Sequence, residues 1–156
     1  MDAQHLSDVI AGTESGNRMN LETFVQRNYM EKILCDANRR FRDMSNGQFE
    51  LKLINVEDTG EGKNKGLDFE VYSIVTGKTR SVNTLSGGES FMAALSLALG
   101  MADQIQAATA AIHLDVMFID EGFGSLSDNA RNEAVNILKE MAGKQRQIGI
   151  ISHVSE

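Results

Sequence analysis

The most informative stretch of this 156-residue sequence is LSGGES at residues 85–90. Ser86 and Glu89 have the spacing of a capping box, in which each side chain bonds a free backbone N–H group at the start of a helix. A capping box does not explain Gly87 and Gly88, because glycine weakens a helix but lets a ligand approach the backbone closely. Exposed amides and the partial positive charge of a helix N-terminus bind phosphate. The stretch therefore predicts a helix that begins at a phosphate site.

The residues that follow predict a helix over about 88–106, with apolar side chains around so much of its circumference that burial on most sides is expected.

A second signal is VMFIDE at 116–121, in which four apolar residues are followed by Asp120 and Glu121. The carboxyl end of a buried parallel strand opens into a ligand-binding crevice. There one carboxylate could hold magnesium while its neighbour orients or deprotonates a water. Alone, the pattern is more typical of a strand that enters a solvated loop.

A third signal is His153, which follows the apolar segment 148–151. A helix predicted over about 129–142 separates this segment from a predicted strand at 114–119, and the strand-helix-strand order indicates two parallel strands. Parallel strands end at one edge of a sheet, so His153 could reach a phosphate bound near Asp120. A lone histidine at a strand end more often has only a structural role.

The first half of the chain predicts a helix and a hairpin. Apolar residues at helical spacing run through 20–46, and Asn46 and Gly47 end the helix. Two alternating segments within 48–84 predict an antiparallel hairpin with a long polar loop. Residues 1–19 show little pattern and are predicted to be a linker or a chain end.

The composition favours a soluble cytoplasmic protein. Cys35 is the only cysteine, which excludes an intrachain disulfide and favours a reducing compartment. The longest apolar run, residues 90–102, is shorter than the roughly 20 residues that cross a bilayer. No membrane partner is therefore expected.

The net charge of −7 argues against broad nonspecific binding of nucleic acid by this chain alone. Residues 1–80 carry 11 basic and 13 acidic side chains (net −2), whereas residues 81–156 carry 4 and 9 (net −5). Any DNA contact is thus expected around Arg39, Arg40 and Arg42, although a solvated helix face is the commoner meaning of such a cluster.

The sequence lacks the loop that cradles phosphates in P-loop enzymes, G-x-x-x-x-G-K-[ST]. Gly77, Lys78 and Thr79 supply its ending, but Tyr72 occupies the position of the first glycine. The chain therefore has a phosphate-facing helix and candidate catalytic carboxylates without a cradle. It is predicted to be half of a nucleotide site.

In this order the three signals resemble the C-terminal half of an ABC-type ATPase head. Residues 85–89 resemble the ABC signature, 116–121 the Walker B strand, 123–127 the D-loop, and His153 the switch histidine. The strings LSGGESF and DEGFG, preceded by a helix containing ANRRF and by a hairpin, resemble the SbcC branch of the SMC-like DNA-repair ATPases. The resemblance covers about residues 20–156.

The resemblance implies an α/β fold, in which helices pack on a parallel sheet beside a small antiparallel hairpin. The implied parts of the lobe are the base of a coiled-coil helix at 20–46, the hairpin at 48–84, the signature helix at 85–107, and the Walker B, D-loop and switch-histidine region at 112–156. In this family a very long antiparallel coiled coil separates this lobe from an N-terminal lobe that carries the Walker A motif and the Q-loop.

The resemblance also implies an ATPase in which two heads sandwich two ATP molecules, with Mg²⁺. Ser86, Gly87, Gly88 and Glu89 are implied to bind ATP of the opposite head. Asp120 is the implied magnesium residue, and Glu121 and His153 are the implied catalytic residues. The implied D-loop residues are Ser125, Ser127 and Asp128. The implied partners are the N-terminal lobe, a second head, a nuclease of the SbcD type and double-stranded DNA. The complex would process double-strand breaks and hairpins as exonuclease and endonuclease, and this lobe alone would hydrolyse no ATP.

The sequence departs from the family pattern at two positions. The D-loop normally ends in aspartate, but Ser127 stands there and Asp128 follows, which puts communication between the two ATP sites in doubt. Many ABC proteins have proline after the Walker B glutamate, where this chain has Gly122. Two alternatives stay open, namely an SMC condensin-like ATPase head that organises chromosomes and a non-catalytic module for dimerisation or DNA binding.

Overall fold

The computed structural model describes residues 21–55, 67–108, 116–120, 122–142 and 147–151. Its helices are α1 (Leu21–Met44), α2 (Gly87–Ala108) and α3 (Asp128–Ala142). Its strands are β1 (Phe49–Leu53), β2 (Phe69–Ser73), β3 (Lys78–Ser81), β4 (Val116–Asp120) and β5 (Gln147–Ile151), and single 3₁₀ turns cover Val82–Thr84 and Phe123–Ser125. The predicted linker at 1–19 and the polar loop of the hairpin, 57–66, lie outside the described residues, as do Glu121 and His153.

Helix α1 ends close to the predicted position. The backbone N–H of Gly47 donates to the carbonyl oxygen of Arg42 at 2.7 Å. Asn46 and Gly47 both lie in the left-handed region, with φ of 52° and 75°. Because asparagine and glycine tolerate that region better than other residues, the pair turns the chain out of the helix and towards β1.

The predicted hairpin is confirmed, and the structure adds a third strand to it. Leu51 of β1 lies opposite Val71 of β2, and both side chains are buried against the helices. Beyond Gly77 (φ 67°), residues 78–81 pair with β2 as β3, a strand that was not predicted from the sequence. The segment KTRS is polar, and its strand lies at the edge of the sheet, so it carries no alternating apolar pattern from which a strand could be predicted.

The side chain of Asn38 extends the antiparallel sheet onto α1. Its amide nitrogen donates to the carbonyl oxygen of Leu51 at 2.9 Å, and its amide oxygen accepts from the backbone N–H of Leu51 at 2.7 Å. The side chain thus occupies the hydrogen-bonding position that a further strand would take beside β1. This satisfies a free strand edge and fixes the sheet to the helix.

Helices α1 and α2 cross with their backbones in contact. A β-carbon at Gly100 would lie 2.7 Å from the carbonyl oxygen of Ile33 and 3.0 Å from the backbone nitrogen of Ala37, so glycine is required at the crossing. Arg40 forms an ion pair with Asp103 one turn further along. These contacts fix α1 and α2 against each other in the core.

Burial of α2 is less complete than its sequence suggested. Leu95 and Leu99 are buried, whereas Met101 and Ile105 are 40% and 39% exposed. The helix is long and apolar enough to span a membrane by length and hydropathy alone, a property that core helices share, and one of its faces packs against α1. The prediction of burial on most sides is therefore correct only for the face towards the core.

Strands β4 and β5 are parallel, as predicted, and helix α3 connects them in sequence. Asp120 lies opposite Ile151 at their carboxyl ends. Ile119 is buried, but Phe118 is 75% exposed and Val116 is 50% exposed. The strand was predicted to be buried; in the described part of the chain one face of this two-stranded sheet is open.

Candidate nucleotide-binding site

The predicted capping box is present at the start of α2. The backbone N–H of Ser86 donates to Oε2 of Glu89 at 2.7 Å, and the N–H of Glu89 donates to Oγ of Ser86 at 3.3 Å. The helix begins at Gly87, which is exposed to solvent. The turn is therefore fixed by its own side chains, while its outer surface stays accessible to a ligand.

Arg80 on β3 contacts the same carboxylate, a contact that the sequence did not predict. Its Nη2 lies 3.3 Å from Oε2 of Glu89. Its Nη1 donates to the carbonyl oxygen of Thr84 at 2.7 Å and lies 3.2 Å from the hydroxyl oxygen of the same residue. The guanidinium also lies over the ring of Phe49, 5.2 Å from the centroid. One side chain thus joins two strands, the 3₁₀ turn and the start of α2.

The pKa of Glu89 is lowered from its ordinary value. Partial burial disfavours the charged form and acts to raise the pKa, but the hydrogen bonds with Ser86 and the pairing with Arg80 together outweigh it. The carboxylate is therefore ionised at neutral pH, as a capping acceptor at a helix N-terminus should be.

The two glycines of the turn have different surroundings. A β-carbon at Gly88 would lie 2.7 Å from the carbonyl oxygen of Ser125, whereas one at Gly87 would lie 3.5 Å from the β-carbon of Ser125, an ordinary contact. Gly88 is thus required by the packing of the chain itself. The sequence had explained both glycines by the approach of a ligand, and in the described contacts only Gly87 still needs that explanation.

The turn after β4 packs against the first turn of α2. Gly122 has a φ of 94°, and a β-carbon there would lie 2.1 Å from the ring of Phe91. Phe91 also meets Phe123 edge to face, with centroids 5.1 Å apart. Proline fixes φ near −65°, so it cannot adopt this conformation. The structure therefore brings the 85–90 and 116–126 motifs together, which spacing alone could not establish.

The three predicted D-loop residues serve local contacts. The hydroxyl of Ser125 donates to the carbonyl oxygen of Gly122 at 2.8 Å. The hydroxyl of Ser127 accepts from the backbone N–H of Ala130 at 3.4 Å, as the N-cap of α3. The carboxylate of Asp128 lies 3.2 Å from Arg131 and is 91% exposed. Asp128 therefore remains accessible beside the turn, whereas Ser127 caps the helix.

Asp120, the predicted magnesium residue, is exposed at the carboxyl end of β4. Over the described ranges, no group of three or more His, Cys, Asp or Glu side chains could hold a metal ion. One carboxylate is still suitable for Mg²⁺, which is usually held by one or two carboxylates together with phosphates and water. Glu121 and His153, the predicted catalytic residues, lie outside the described residues.

Of the three arginines around which any DNA contact was expected, Arg40 and Arg42 are engaged within the chain, whereas Arg39 is exposed. Arg40 is buried and paired with Asp103, and Arg42 lies 3.0 Å from Glu50. The sequence could not show this, because both acidic partners come from other elements of the fold. The interpretation as a DNA-contacting cluster is therefore wrong for Arg40, and Arg42 is shared with an ion pair.

Comparison with known proteins agrees with this arrangement. Residues 63–140 match the model of a family described as "SbcC/RAD50-like, Walker B motif". The chain is 42% identical over 156 residues to the SbcC subunit of the nuclease SbcCD from Lactococcus lactis subsp. lactis (strain IL1403), covering 97% of the chain and 14% of the relative. It is 45% identical over 152 residues to the protein of the same name from Vibrio cholerae serotype O1, covering 97% of the chain and 15% of the relative.

Solved structures share the fold. The Smc head bound to the C-winged helix domain of ScpA matches with a TM-score of 0.60 and 22% identity, over 98% of this chain and 42% of that one. An Smc head domain with a coiled coil from Pyrococcus yayanosii matches with a TM-score of 0.56 and 22% identity, over 78% of this chain and 22% of that one. The α/β fold predicted from the sequence, that of an ABC-type head, is thus confirmed. The family match, which spans half of the chain, places it further: this chain belongs to the SbcC/RAD50-like family.

Proposed function

We propose that this chain is the C-terminal lobe of the ATP-binding and ATP-hydrolysing head of an SbcC-like protein. The observation that carries the proposal is the packing of the 85–90 turn against the turn that follows β4. It places a helix start suited to phosphate beside a strand end that carries a carboxylate, in a chain whose sequence has no phosphate cradle. Such a surface needs a second segment to complete a nucleotide site.

The ATP-binding residues of this lobe are proposed to act on nucleotide held by the opposite head. Ser86 and Gly87 offer exposed backbone and a hydroxyl at the N-terminus of α2, where the helix dipole favours negative charge. Gly88 and Glu89 belong to the same turn, and their contacts within the chain hold it in shape. Two copies of the head would therefore sandwich two ATP molecules.

The chemistry is proposed to use three residues at the carboxyl ends of β4 and β5. Asp120 would hold Mg²⁺, which neutralises phosphate charge when it is bound. Glu121, the next residue, would polarise the attacking water, and His153 would contact the γ-phosphate. Ser125, Ser127 and Asp128 would form the D-loop that faces the second head.

The remaining strands of the site are proposed to come from the N-terminal lobe of the same protein. This chain spans only 14% and 15% of the lengths of the two relatives described above. Phe118 is 75% exposed on the open face of the β4–β5 sheet, which supports the proposal that a neighbouring segment covers this face. The proposed parts are a coiled-coil base at 20–46, a hairpin at 48–84, a signature helix at 85–107 and a catalytic region at 112–156.

The wider role is proposed from the relatives, whose name describes one component of a nuclease. The partners would be an SbcD-type nuclease and double-stranded DNA in the cytoplasm, and the substrates would be double-strand breaks and hairpins. An SMC condensin-like role has weaker support, because the Smc heads match at 22% identity against 42% and 45% for the SbcC proteins. Copurification with a metallonuclease would separate the two.

The test of the proposal is ATP turnover by this chain alone and after assembly with an N-terminal lobe carrying a Walker A motif. We expect no hydrolysis by the chain alone and hydrolysis by the assembled head. Glu121→Gln should abolish most turnover, and Ser86→Arg should block ATP-dependent dimerisation while the monomer remains folded. Full turnover by Glu121→Gln would refute the catalytic assignment. No turnover by the assembled native head would favour a non-catalytic module.

A further inference from the structure

Arg80 occupies a position from which it controls the shape of the proposed ATP-binding turn. Its side chain is 33% exposed and extends from β3 to three other elements. The contacts described above are the ion pair with Glu89, the hydrogen bonds to Thr84 and the stacking on Phe49. Arginine suits this task because its planar fork of donors can bond two acceptors and stack on a ring at the same time.

The carboxylate oxygen that Arg80 contacts is also the one that fixes the Ser86 amide. Oε2 of Glu89 accepts from the backbone N–H of Ser86 at 2.7 Å and lies 3.3 Å from Nη2 of Arg80. A glutamate side chain has several rotamers, and the capping box needs one that returns the carboxylate to the backbone N–H of Ser86. The guanidinium therefore selects the rotamer that holds the backbone of the turn.

The chain between Arg80 and the turn is short and internally bonded. The hydroxyl of Thr84 donates to the carbonyl oxygen of Ser81 at 2.6 Å, and the N–H of Leu85 donates to the carbonyl oxygen of Val82 at 3.1 Å. With the Arg80 contacts, residues 80–89 form one bonded unit that leads from the edge strand into α2. A change at Arg80 would loosen this unit rather than remove a group from the nucleotide itself.

We infer that Arg80 is a positioning residue that preorganises the Ser86–Glu89 turn for ATP held by the opposite head. This inference rests on the proposed function of the turn. Preorganisation lowers the ordering cost of binding and leaves the hydrolysis step alone. Loss of Arg80 should therefore change the ATP concentration at which heads associate, with little change in the turnover rate at saturating ATP.

The test uses the assembled head and the variants Arg80→Ala and Lys78→Ala. Lys78 lies two residues before Arg80 on the same strand, so the two side chains are on the same face of the sheet. Because Lys78 is exposed, Lys78→Ala is a control for the loss of one positive charge. We expect Arg80→Ala to raise the KM for ATP, and the ATP concentration for half-maximal dimerisation, about tenfold. The kcat should stay within about twofold of the native value, and Lys78→Ala should change neither quantity.

A double-mutant comparison tests whether Arg80 acts through Glu89. In a Glu89→Gln background, Arg80→Ala should have less than half of its native-background effect on KM, because the charged partner is gone. An equal effect in both backgrounds would overturn the inference. So would a lowered kcat with unchanged KM and a lowered Tm, since that pattern indicates only a loss of folded protein.

The outcome for Arg80 is separable from the proposed function. If Ser86→Arg and Glu121→Gln abolish dimerisation and turnover while Arg80→Ala leaves KM unchanged, the ATP site stands and the positioning role fails. If all of these variants, including Ser86→Arg, turn over ATP at the native rate, the assignment of the turn itself fails.

Discussion

The α-carbon of Gly88 lies against the carbonyl oxygen of Ser125, so that a methyl group on it would be 2.7 Å from that oxygen. The contact joins the start of α2 to the segment after β4. Gly88→Ala should therefore lower the free energy of unfolding by about 1–2 kcal/mol, even though alanine is the better helix former, because backbone must move to admit the methyl group. Urea unfolding of the 156-residue chain, with constant m-value, measures the change.

Gly87→Ala is the matched control for this prediction. Among the described residues a β-carbon there meets the side chain of Ser125 alone, at 3.5 Å, so the variant should be as stable as the native chain or slightly more stable. Equal losses for the two variants would contradict the explanation, since they would reflect the loss of glycine in general rather than the contact with Ser125.

The ring of Phe91 fills the space beside Gly122. Gly122→Ala combines a φ of 94° with a β-carbon 2.1 Å from the ring, so it should cost about 2–4 kcal/mol. At Gly47, φ is 75°, and apart from its two chain neighbours no atom of the described residues lies within 4 Å of the β-carbon position. Gly47→Ala should then cost only about 1–2 kcal/mol, the strain of the backbone alone. Thermal unfolding of both variants isolates the clash with Phe91, and equal costs would argue against it.

Local patterns in the sequence predicted the elements that depend on neighbouring residues. The capping box of Ser86 and Glu89 and the parallel pairing of the strands around α3 follow from spacing of this kind. Strand β3 could not be predicted in this way, because its polar residues form a strand only through pairing with β2. The structure shows the third strand because it shows the pairing of residues 78–81 with β2.

Contacts between residues that are far apart in the sequence could not be predicted from it. The need for glycine at position 88 comes from Ser125, 37 residues later, and the partner of Arg40 is Asp103, 63 residues later. Neither pair has a spacing signature. The short separation of Arg80 and Glu89 also gave no signal, because a strand, a 3₁₀ turn and a helix start lie between them and no single period applies.

The lowered pKa of Glu89 predicts a pH dependence of stability. The carboxylate is favoured in the folded chain, so its contribution is present above the pKa of an unfolded glutamate, about 4.3, and is lost as the pH falls through the lower pKa of the folded state. Unfolding free energies of the native chain and of Glu89→Gln, measured from pH 7 to pH 3, should therefore converge at acid pH. A difference that grows below pH 4 would contradict the direction of the shift.

Asn38 should contribute to stability through both of its bonds to Leu51. Asn38→Ala removes a donor and an acceptor from the edge of β1 and should cost about 2 kcal/mol, at about 1 kcal/mol for each hydrogen bond. Amide hydrogen exchange supplies a local measurement, since the N–H of Leu51 should lose protection in the variant. Asn38→Asp keeps the acceptor but not the donor, so protection of that N–H should fall less. Unchanged protection in Asn38→Ala would mean that the edge is held by other contacts.

Ser127, at the position where the D-loop resemblance predicts aspartate, is the N-cap of α3, and aspartate is suited to the same capping position. Its hydroxyl accepts from the N–H of Ala130, and aspartate is as good a cap as serine. Ser127→Ala should lower the free energy of unfolding by about 1 kcal/mol, whereas Ser127→Asp should stay within about 0.5 kcal/mol of the native chain. Asp128→Ala removes an exposed ion pair with Arg131 and the acidic side chain in the first turn of α3, and it should cost roughly 0.5–1 kcal/mol in all. If Ser127→Asp were as unstable as Ser127→Ala, helix capping would not explain why serine can replace aspartate at position 127. The explanation would then have to come from the proposed contact of the D-loop with the second head.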